Sequence, residues 1–361
     1  RMNLTFLIIA AVLLCCFFAA YLWFAVINRR LNDISFGSPF FGNVFFPVWL
    51  VAFAGCTALY FLLPEQNDQL FDISFLNVAA AFISAAAVCL LSLHARIARW
   101  NYALFLAAAI LNTLLLPQGF MLFEGTLPFW LDRLTIALIW SLFAWAYKYL
   151  DGLEGIVVVQ TVTPLCGMVI LAFLGAIPIL TGCFSAVFAL IITAYAVYNW
   201  YPAQLRLTTS GCQALGFLTA WLFMLAAREG SASCALIFSL YYIVEVIWAG
   251  LKKLSRKPQY QEIVPNTFYY QTNLSGLSPD IISENIFKLD ALLVIFGCFQ
   301  IYAPNSYSLA ILGVILTFWF LNHLRNWQVA ERSLGEINRE VVKDLKENVE
   351  DIKKNLDKDI C

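Results

Sequence analysis

Long apolar runs, separated by short polar stretches, make up most of this chain. A membrane-spanning helix needs about 20 predominantly apolar residues, and runs close to that length recur up to position 324. They are continuously apolar and do not alternate, which excludes the strands of a membrane β-barrel. The pattern therefore predicts an all-α, polytopic membrane protein with about eleven transmembrane helices, at 4–27, 44–63, 73–93, 102–117, 134–150, 156–174, 177–198, 213–227, 232–250, 289–303 and 307–324.

The composition supports this class. Hydrophobic residues make up 61% of the 361 residues and charged residues only 12%, whereas a soluble domain is about 25% charged. The composition excludes a soluble enzyme, a disordered chain and a nucleic-acid binder with a basic face. The net charge of −1 indicates no particular partner apart from the lipid bilayer.

The basic residues predict an orientation. Cytoplasmic loops of membrane proteins carry an excess of Lys and Arg. If the N-terminus lies outside, every basic residue except Arg1, Arg133 and Arg228 falls on an inner loop or in the C-terminal segment. We therefore expect an external N-terminus, a cytoplasmic C-terminus and cytoplasmic loops that carry any chemistry.

Residues 325–361 differ in kind from the rest of the chain. Their apolar residues recur every three or four positions, which predicts a cytoplasmic amphipathic or coiled-coil helix. The stripe consists of Leu334, Ile337, Val341, Leu345, Val349, Ile352, Leu356 and Ile360. We expect a transmembrane domain at 1–324 and a helix at 325–361 whose stripe binds another copy, another protein or the membrane surface. A protein partner is the favoured alternative because the charge of the segment is nearly balanced.

Two polar stretches are more specific than the rest. One is Asn199-Trp200-Tyr201-Pro202-Ala203-Gln204 with the segment that follows it to Phe217, and the other is Asp151-Gly152-Leu153-Glu154-Gly155. They resemble the patterns FNxYPAQxFMGDxGSxxLG and NxxNxxDGxDGL of the polyprenyl-phosphate N-acetylhexosamine-1-phosphate transferases, which are of the glycosyltransferase family 4 type. This family includes the phospho-N-acetylmuramoyl-pentapeptide transferase. The resemblance covers about residues 4–324 and implies a bacterial inner-membrane protein.

The resemblance also implies a reaction, the transfer of a sugar phosphate from a UDP-sugar to a polyprenyl phosphate. Magnesium assists the family enzymes, and this ion prefers hard oxygen ligands. Most of the family's chemical residues are absent here. The Asp-Asp-Arg position reads His94-Ala95-Arg96, two asparagines become Trp145 and Lys148, the MGD aspartate becomes Thr209, and the histidine motif reads Thr267-Phe268-Tyr269-Tyr270.

Asp151 and Glu154 are the carboxylates that remain. Lys148 lies three residues before Asp151, so it either pairs with this acid or extends to the membrane interface. Glu245 lies within an apolar run and faces either a functional interior or a hydrogen-bonding partner on a neighbouring helix.

Three functions follow as alternatives. The first is a pseudo-transferase that acts as a scaffold or regulatory subunit of an inner-membrane complex, possibly in envelope glycan assembly, with no cofactor. The second is an active transferase that uses magnesium. The third is a polyprenyl-phosphate or anionic-lipid binding protein, for which the candidate binding residues are Arg30, Arg96, Lys148, Asn199 and Arg206. A homodimer, or a heterodimer with an active relative, fits the family.

Overall fold

A computed structural model describes residues 2–31, 46–63, 74–92, 101–116, 120–123, 126–207, 209–255, 266–274, 276–303 and 307–324. This part of the chain is helical and contains no β-strand. The helices of its first half are α1 (Met2–Leu31), α2 (Phe46–Leu62), α3 (Phe75–Ser92), α4 (Asn101–Leu114) and α5 (Phe129–Ala146), which continues as a 3-10 turn (Tyr147–Leu150).

The second half begins with a helical hairpin of α6 (Ile156–Phe173) and α7 (Ile179–Asn199). The helices that follow are α8 (Thr209–Ala226), α9 (Ala232–Phe238), α10 (Leu240–Ser255), α11 (Phe268–Leu274), α12 (Pro279–Gln300) and α13 (Ser308–Leu324). Proline precedes α5 and α7 and is the first residue of α12, where its fixed φ suits a helix start and its missing N–H is not needed.

Helix α8 lies at the centre of the bundle. Every residue from Ser210 to Ala226 is buried, and α8 packs against α3 and α5. The indole of Trp140 on α5 donates to the carbonyl of Phe217 over 2.9 Å. Helix α1 is peripheral, and its exposed Leu4, Leu7 and Leu22 form an apolar outer face. A helix buried all round at the centre and an apolar surface outside are what a bundle in lipid requires.

The prediction of a multi-pass, all-α membrane protein is confirmed in its broad form. Within the described residues, five helical segments are long and apolar enough to cross a membrane: 4–29, 129–150, 156–173, 179–199 and 209–238. Four further apolar helices are shorter. The predicted count of about eleven spans is therefore not confirmed. One cause is that the run at 232–250 is divided at Ser239, between α9 and α10.

Polar contacts join the loops at one end of the bundle, which we call the motif end because residues 147–155 and 199–207 lie there. Glu154 bonds both Ala203 and Arg206, and Ser283 at the start of α12 bonds the carbonyl of Glu154. At the opposite end of α5, Arg133 donates to the carbonyl of Thr113 over 2.8 Å. The two groups lie at opposite ends of α5, and the side of the membrane that each end faces stays a prediction.

Candidate functional site

Glu154 is the centre of the motif end. One carboxylate oxygen lies 3.0 Å from Nη2 of Arg206, and the other accepts the backbone N–H of Ala203 over 3.1 Å. The Ser283 hydroxyl donates to the Glu154 main-chain carbonyl over 2.9 Å. Glu154 therefore joins the loop after α5 to the loop after α7, and both of its carboxylate oxygens are engaged by groups of the chain itself.

Asn199, the last residue of α7, also forms hydrogen bonds to both of these loops. Its side-chain oxygen accepts the N–H of Gly155 over 3.2 Å, and its amide donates to the carbonyl of Leu205 over 3.0 Å. Gly155 has φ +82°, and a Cβ there would lie 3.1 Å from Oγ of Ser283. Glycine is the residue that adopts this conformation without strain. The Asn and Gly that this chain shares with the family patterns thus act here as supports of the loop.

The Tyr201-Pro202-Ala203-Gln204 stretch forms a tight turn. The Tyr201–Pro202 peptide bond is cis. After the turn, the N–H groups of Gln204 and Leu205 both donate to the carbonyl of Tyr198, over 2.8 and 2.9 Å. The Gln204 side chain accepts from Nδ2 of Asn28 on α1 over 2.5 Å. The turn is therefore bonded both to the end of α7 and to the end of α1.

Asp151 is the second remaining carboxylate, and it lies half-buried in the turn after the 3-10 segment. Burial raises the pKa of Asp151 to about 7, against the opposing effect of the positive charge of Arg206. An acid with this pKa exchanges its proton near neutral pH. Asp151 is thus the acid of the motif end whose proton affinity burial changes.

Lys148 does not form an ion pair with Asp151 in the described part of the chain. Its ammonium lies over the rings of Trp145 and Tyr149, 4.3 and 5.0 Å from their centroids. The pairing alternative is therefore wrong. Aromatic faces attract a cation through their quadrupole, and a lysine stem extends readily along an apolar surface. Among the described charges, the one that acts on Lys148 is that of Lys253.

The tyrosines predicted to replace the histidine motif lie at the start of α11. Tyr269 is fully buried, and its hydroxyl donates to the carbonyl of Tyr149; Tyr270 is half-buried against the core. Glu245 accepts the N–H of Phe268 over 2.5 Å and that of Tyr269 over 3.4 Å. Of the two alternatives for Glu245, the structure shows hydrogen bonds to a neighbouring helix. Glu245 thus anchors the helix that positions Tyr269.

Thr209 is the exposed first residue of α8. Several other candidates lie outside the described residues. They are His94, Arg96, the side chain of Arg30, and the stripe from Leu334 to Ile360. The domain boundary at 324, the C-terminal helix and the roles given to these residues stay predictions.

The described residues at the motif end do not fit a magnesium site. Mg²⁺ prefers carboxylate oxygens, and each oxygen of Glu154 already accepts a hydrogen bond, one from the Arg206 guanidinium and one from the backbone N–H of Ala203. The Arg206 guanidinium also places positive charge beside them. No group of three or more potential metal ligands occurs within the described residues.

The comparisons with known proteins support the class that the fold indicates, a multi-pass helical membrane protein. Residues 91–227 match the family model described as Glycosyl transferase family 4. The resemblance inferred from the loops is thereby confirmed for this part of the chain, which includes both motif loops and less than half of the sequence. The protein is a sugar-phosphate transferase-like membrane protein. No curated protein matches the chain.

Sequence reasoning missed some residues of the site and of the interior. Ser283 and Lys253 approach the site from distant segments, and neither belongs to a motif. Asp290 and Gln160 pair inside the bundle. Asp290 gave a usable signal, because an acid within an apolar run is expensive unless it has a partner.

Proposed function

We propose that this protein is a catalytically degenerate sugar-1-phosphate transferase that acts as a scaffold or regulatory subunit of a bacterial inner-membrane complex in envelope glycan assembly. The observation that carries the proposal is that both carboxylate oxygens of Glu154 are paired with groups of the chain. A carboxylate at a family metal position is neutralised by Arg206 and by the N–H of Ala203. The positive charge of Arg206 thus lies beside the carboxylate that the family pattern assigns to magnesium binding.

The residues around Glu154 support the same proposal. Thr209 has a hydroxyl in place of a carboxylate, and Tyr269 is a buried phenol that bonds the Tyr149 carbonyl. A phenol in that position supplies no proton acceptor near neutral pH, as an imidazole would. In contrast, Asn199 and Gly155 hold the loops in shape. The framework of the family is thus retained at positions where the chemistry is replaced.

The membrane placement of the proposal follows from the charge pattern. The N-terminus lies outside and the motif end faces the cytoplasm, where the segment 325–361 contacts the partner protein through its apolar stripe. The scaffold function needs such a partner, because a long amphipathic helix alone would leave its stripe in water.

A UMP-release assay tests the loss of activity. The purified protein is mixed with UDP-N-acetylhexosamines, polyprenyl phosphate and Mg²⁺, and UMP is measured for the wild type and for Asp151→Asn. We expect no UMP above background from either form. Magnesium-dependent UMP release by the wild type that is abolished in Asp151→Asn would contradict the proposal and support the active transferase.

A purification in mild detergent tests the scaffold role. Mass spectrometry of the purified wild type from its native host is expected to find a protein partner at a fixed stoichiometry. Deletion of residues 325–361 removes that partner and leaves the membrane domain folded. A wild-type protein that purifies alone at every detergent concentration would contradict this role.

A specific observation favours lipid-phosphate binding as a second function. The ammonium of Lys148 lies 4.3 Å from the Trp145 ring centroid, and the charge of Lys253, near the end of α10, acts on it. Among the described residues no acid pairs with Lys148. Cations that are held at a membrane boundary without an acidic partner attract anionic headgroups.

Arg206 is not part of this cluster, because Glu154 holds it. The variant pair Lys148→Ala/Lys253→Ala is therefore expected to lose co-purified polyprenyl phosphate or anionic lipid, measured by mass spectrometry. Lys288→Ala is the matched control, since Lys288 pairs with Glu284 at the surface over 2.8 Å. Equal lipid content in all three proteins would contradict lipid binding by this cluster.

A further inference from the structure

Asp290 on α12 and Gln160 on α6 form a polar pair inside the bundle. Asp290 is fully buried and Gln160 is 3% exposed. The Gln160 amide nitrogen donates to one oxygen of Asp290 over 2.5 Å. The second oxygen of Asp290 and the carbonyl oxygen of Gln160 have no hydrogen-bond donor among the described residues.

Tyr241 on α10 adds a third oxygen. Its side chain is fully buried and its hydroxyl has no partner within the described residues. Helices α6 and α10 both pack against α12. The three helices thus contribute an amide, a phenol and a carboxylate, each with a buried oxygen that has no hydrogen-bond partner among the described residues. Unsatisfied buried polar atoms are costly, and a bound species that satisfies several of them stabilises the fold.

The charges of this group decide what kind of species fits. Glu245 is already bonded to two backbone N–H groups and is influenced by Lys252. Asp290 has the Gln160 amide and, among the described residues, neither a lysine nor an arginine within ion-pair distance. An intramembrane acid of this kind normally has a partner. A buried carboxylate without a counter-ion is neutralised either by a proton or by a single bound cation.

We propose that Asp290, Gln160 and Tyr241 form an intramembrane binding site for an alkali-metal cation. The ligand atoms are the second carboxylate oxygen of Asp290, the carbonyl oxygen of Gln160 and the phenolic oxygen of Tyr241. All are hard oxygen donors of the kind that bind such cations. Mg²⁺ fits less well because it retains several waters and needs a near-octahedral shell. The bound cation neutralises Asp290 and holds α6, α10 and α12 together.

Thermal unfolding of the full-length protein in lipid nanodiscs tests this site. The midpoint is measured in NaCl, KCl, MgCl₂ and choline chloride at equal ionic strength. We expect one of the alkali salts to raise the midpoint saturably relative to choline, because a ligand that binds the folded state stabilises it by mass action. Mg²⁺ at equal ionic strength is expected to behave as choline does. Equal midpoints in all four salts would overturn the proposal and would indicate a neutral acid–amide pair.

Two variants locate the effect. Asp290→Asn keeps the shape and an amide but removes the charge, and it should abolish the difference between alkali salt and choline. Tyr241→Phe removes only the hydroxyl, and it should raise the cation concentration for half-maximal stabilisation about tenfold while the midpoint in choline is maintained. The control is Glu284→Gln, a surface acid on the same helix, which should respond to salt as the wild type does. A full cation response in both Asp290→Asn and Tyr241→Phe would place the cation elsewhere and overturn the proposal.

Discussion

Two carboxylates in this protein meet opposite conditions. At the motif end, Glu154 has each oxygen engaged, one by Arg206 and one by the N–H of Ala203. In the interior, Asp290 has a single amide donor and one oxygen without a partner among the described residues. The comparison shows that Glu154 is paired within the chain and joins two loops, whereas the interior holds an acid that has one donor among the described residues.

The largest expected effect on stability comes from a substitution in α8 that displaces a residue lying between these two regions. Tyr147 connects them, because it lies beside the motif loop and its hydroxyl bonds Thr161 over 2.6 Å. A Cβ on Gly216 would lie 2.5 Å from the Cβ of Tyr147. Gly216→Ala should therefore lower the free energy of unfolding by about 3 kcal/mol, as overpacking does, measured by thermal unfolding in detergent.

Gly250→Ala is the control for this prediction, since no atom lies within 4 Å of a Cβ built there. It should change the stability by less than about 1 kcal/mol, with a gain expected from the helix preference of alanine. Equal stability of the two variants would show that α8 does not pack tightly against Tyr147.

The next prediction tests whether the Asn199 side chain stabilises the loops of the motif end. Asn199→Ala leaves the N–H of Gly155 and the carbonyl of Leu205 without their side-chain partner. The free energy of unfolding should fall by about 2 kcal/mol, which is typical of buried polar groups left unpaired. Asn285→Ala is the matched control, because its amide bonds only a carbonyl of its own helix. A loss at position 199 no larger than at 285 would contradict this role.

A pH series distinguishes Asp151 from Glu154. Burial raises the pKa of Asp151 from 3.8 to about 7 in the folded protein. As the pH rises from about 4 to about 7, the unfolded chain releases this proton before the folded one does, so Asp151 lowers stability over that window and by a constant amount above it. Asp151→Asn should therefore have a higher midpoint than the wild type at pH 8 and a flatter profile below pH 7. Parallel profiles for the two proteins would refute the assignment.

The smallest effect is expected from the ion pair itself. The Arg206 side chain is 61% exposed, and an exposed pair contributes about 0.5 kcal/mol. Arg206→Glu should be mildly destabilising, and the exchanged double variant Glu154→Arg/Arg206→Glu should recover part of the loss. A double-mutant cycle in low and high salt measures this coupling. A coupling above about 2 kcal/mol would show that the pair is buried in the assembled protein.

Much of the architecture was readable from the sequence, because apolar runs of span length leave few alternatives to helices in lipid. The two motif stretches were also visible in the sequence, and the structure adds that Asn199 and Glu154 bond across them. The partners of these residues were not readable. Ser283 lies more than a hundred positions away, and Lys148 turns to aromatic rings instead of Asp151. Such contacts depend on side-chain direction and on helix packing, which local spacing does not specify.

The interior pair illustrates the same limit. The sequence marks Asp290 as an acid in an apolar run but does not say which helix supplies its partner. Gln160 lies within another run of apolar residues and carries no signal of its own. The packing of α6 against α12 brings the two together.

Binding of Mn²⁺, a spectroscopic substitute for Mg²⁺, tests the central claim most directly. Electron paramagnetic resonance of the purified full-length protein counts the Mn²⁺ that it holds, in the wild type and in the double variant Asp151→Asn/Glu154→Gln. The account predicts no stoichiometric Mn²⁺ in either protein, because Arg206 and the Ala203 N–H satisfy Glu154. One tightly bound Mn²⁺ in the wild type that is lost in the double variant would contradict it.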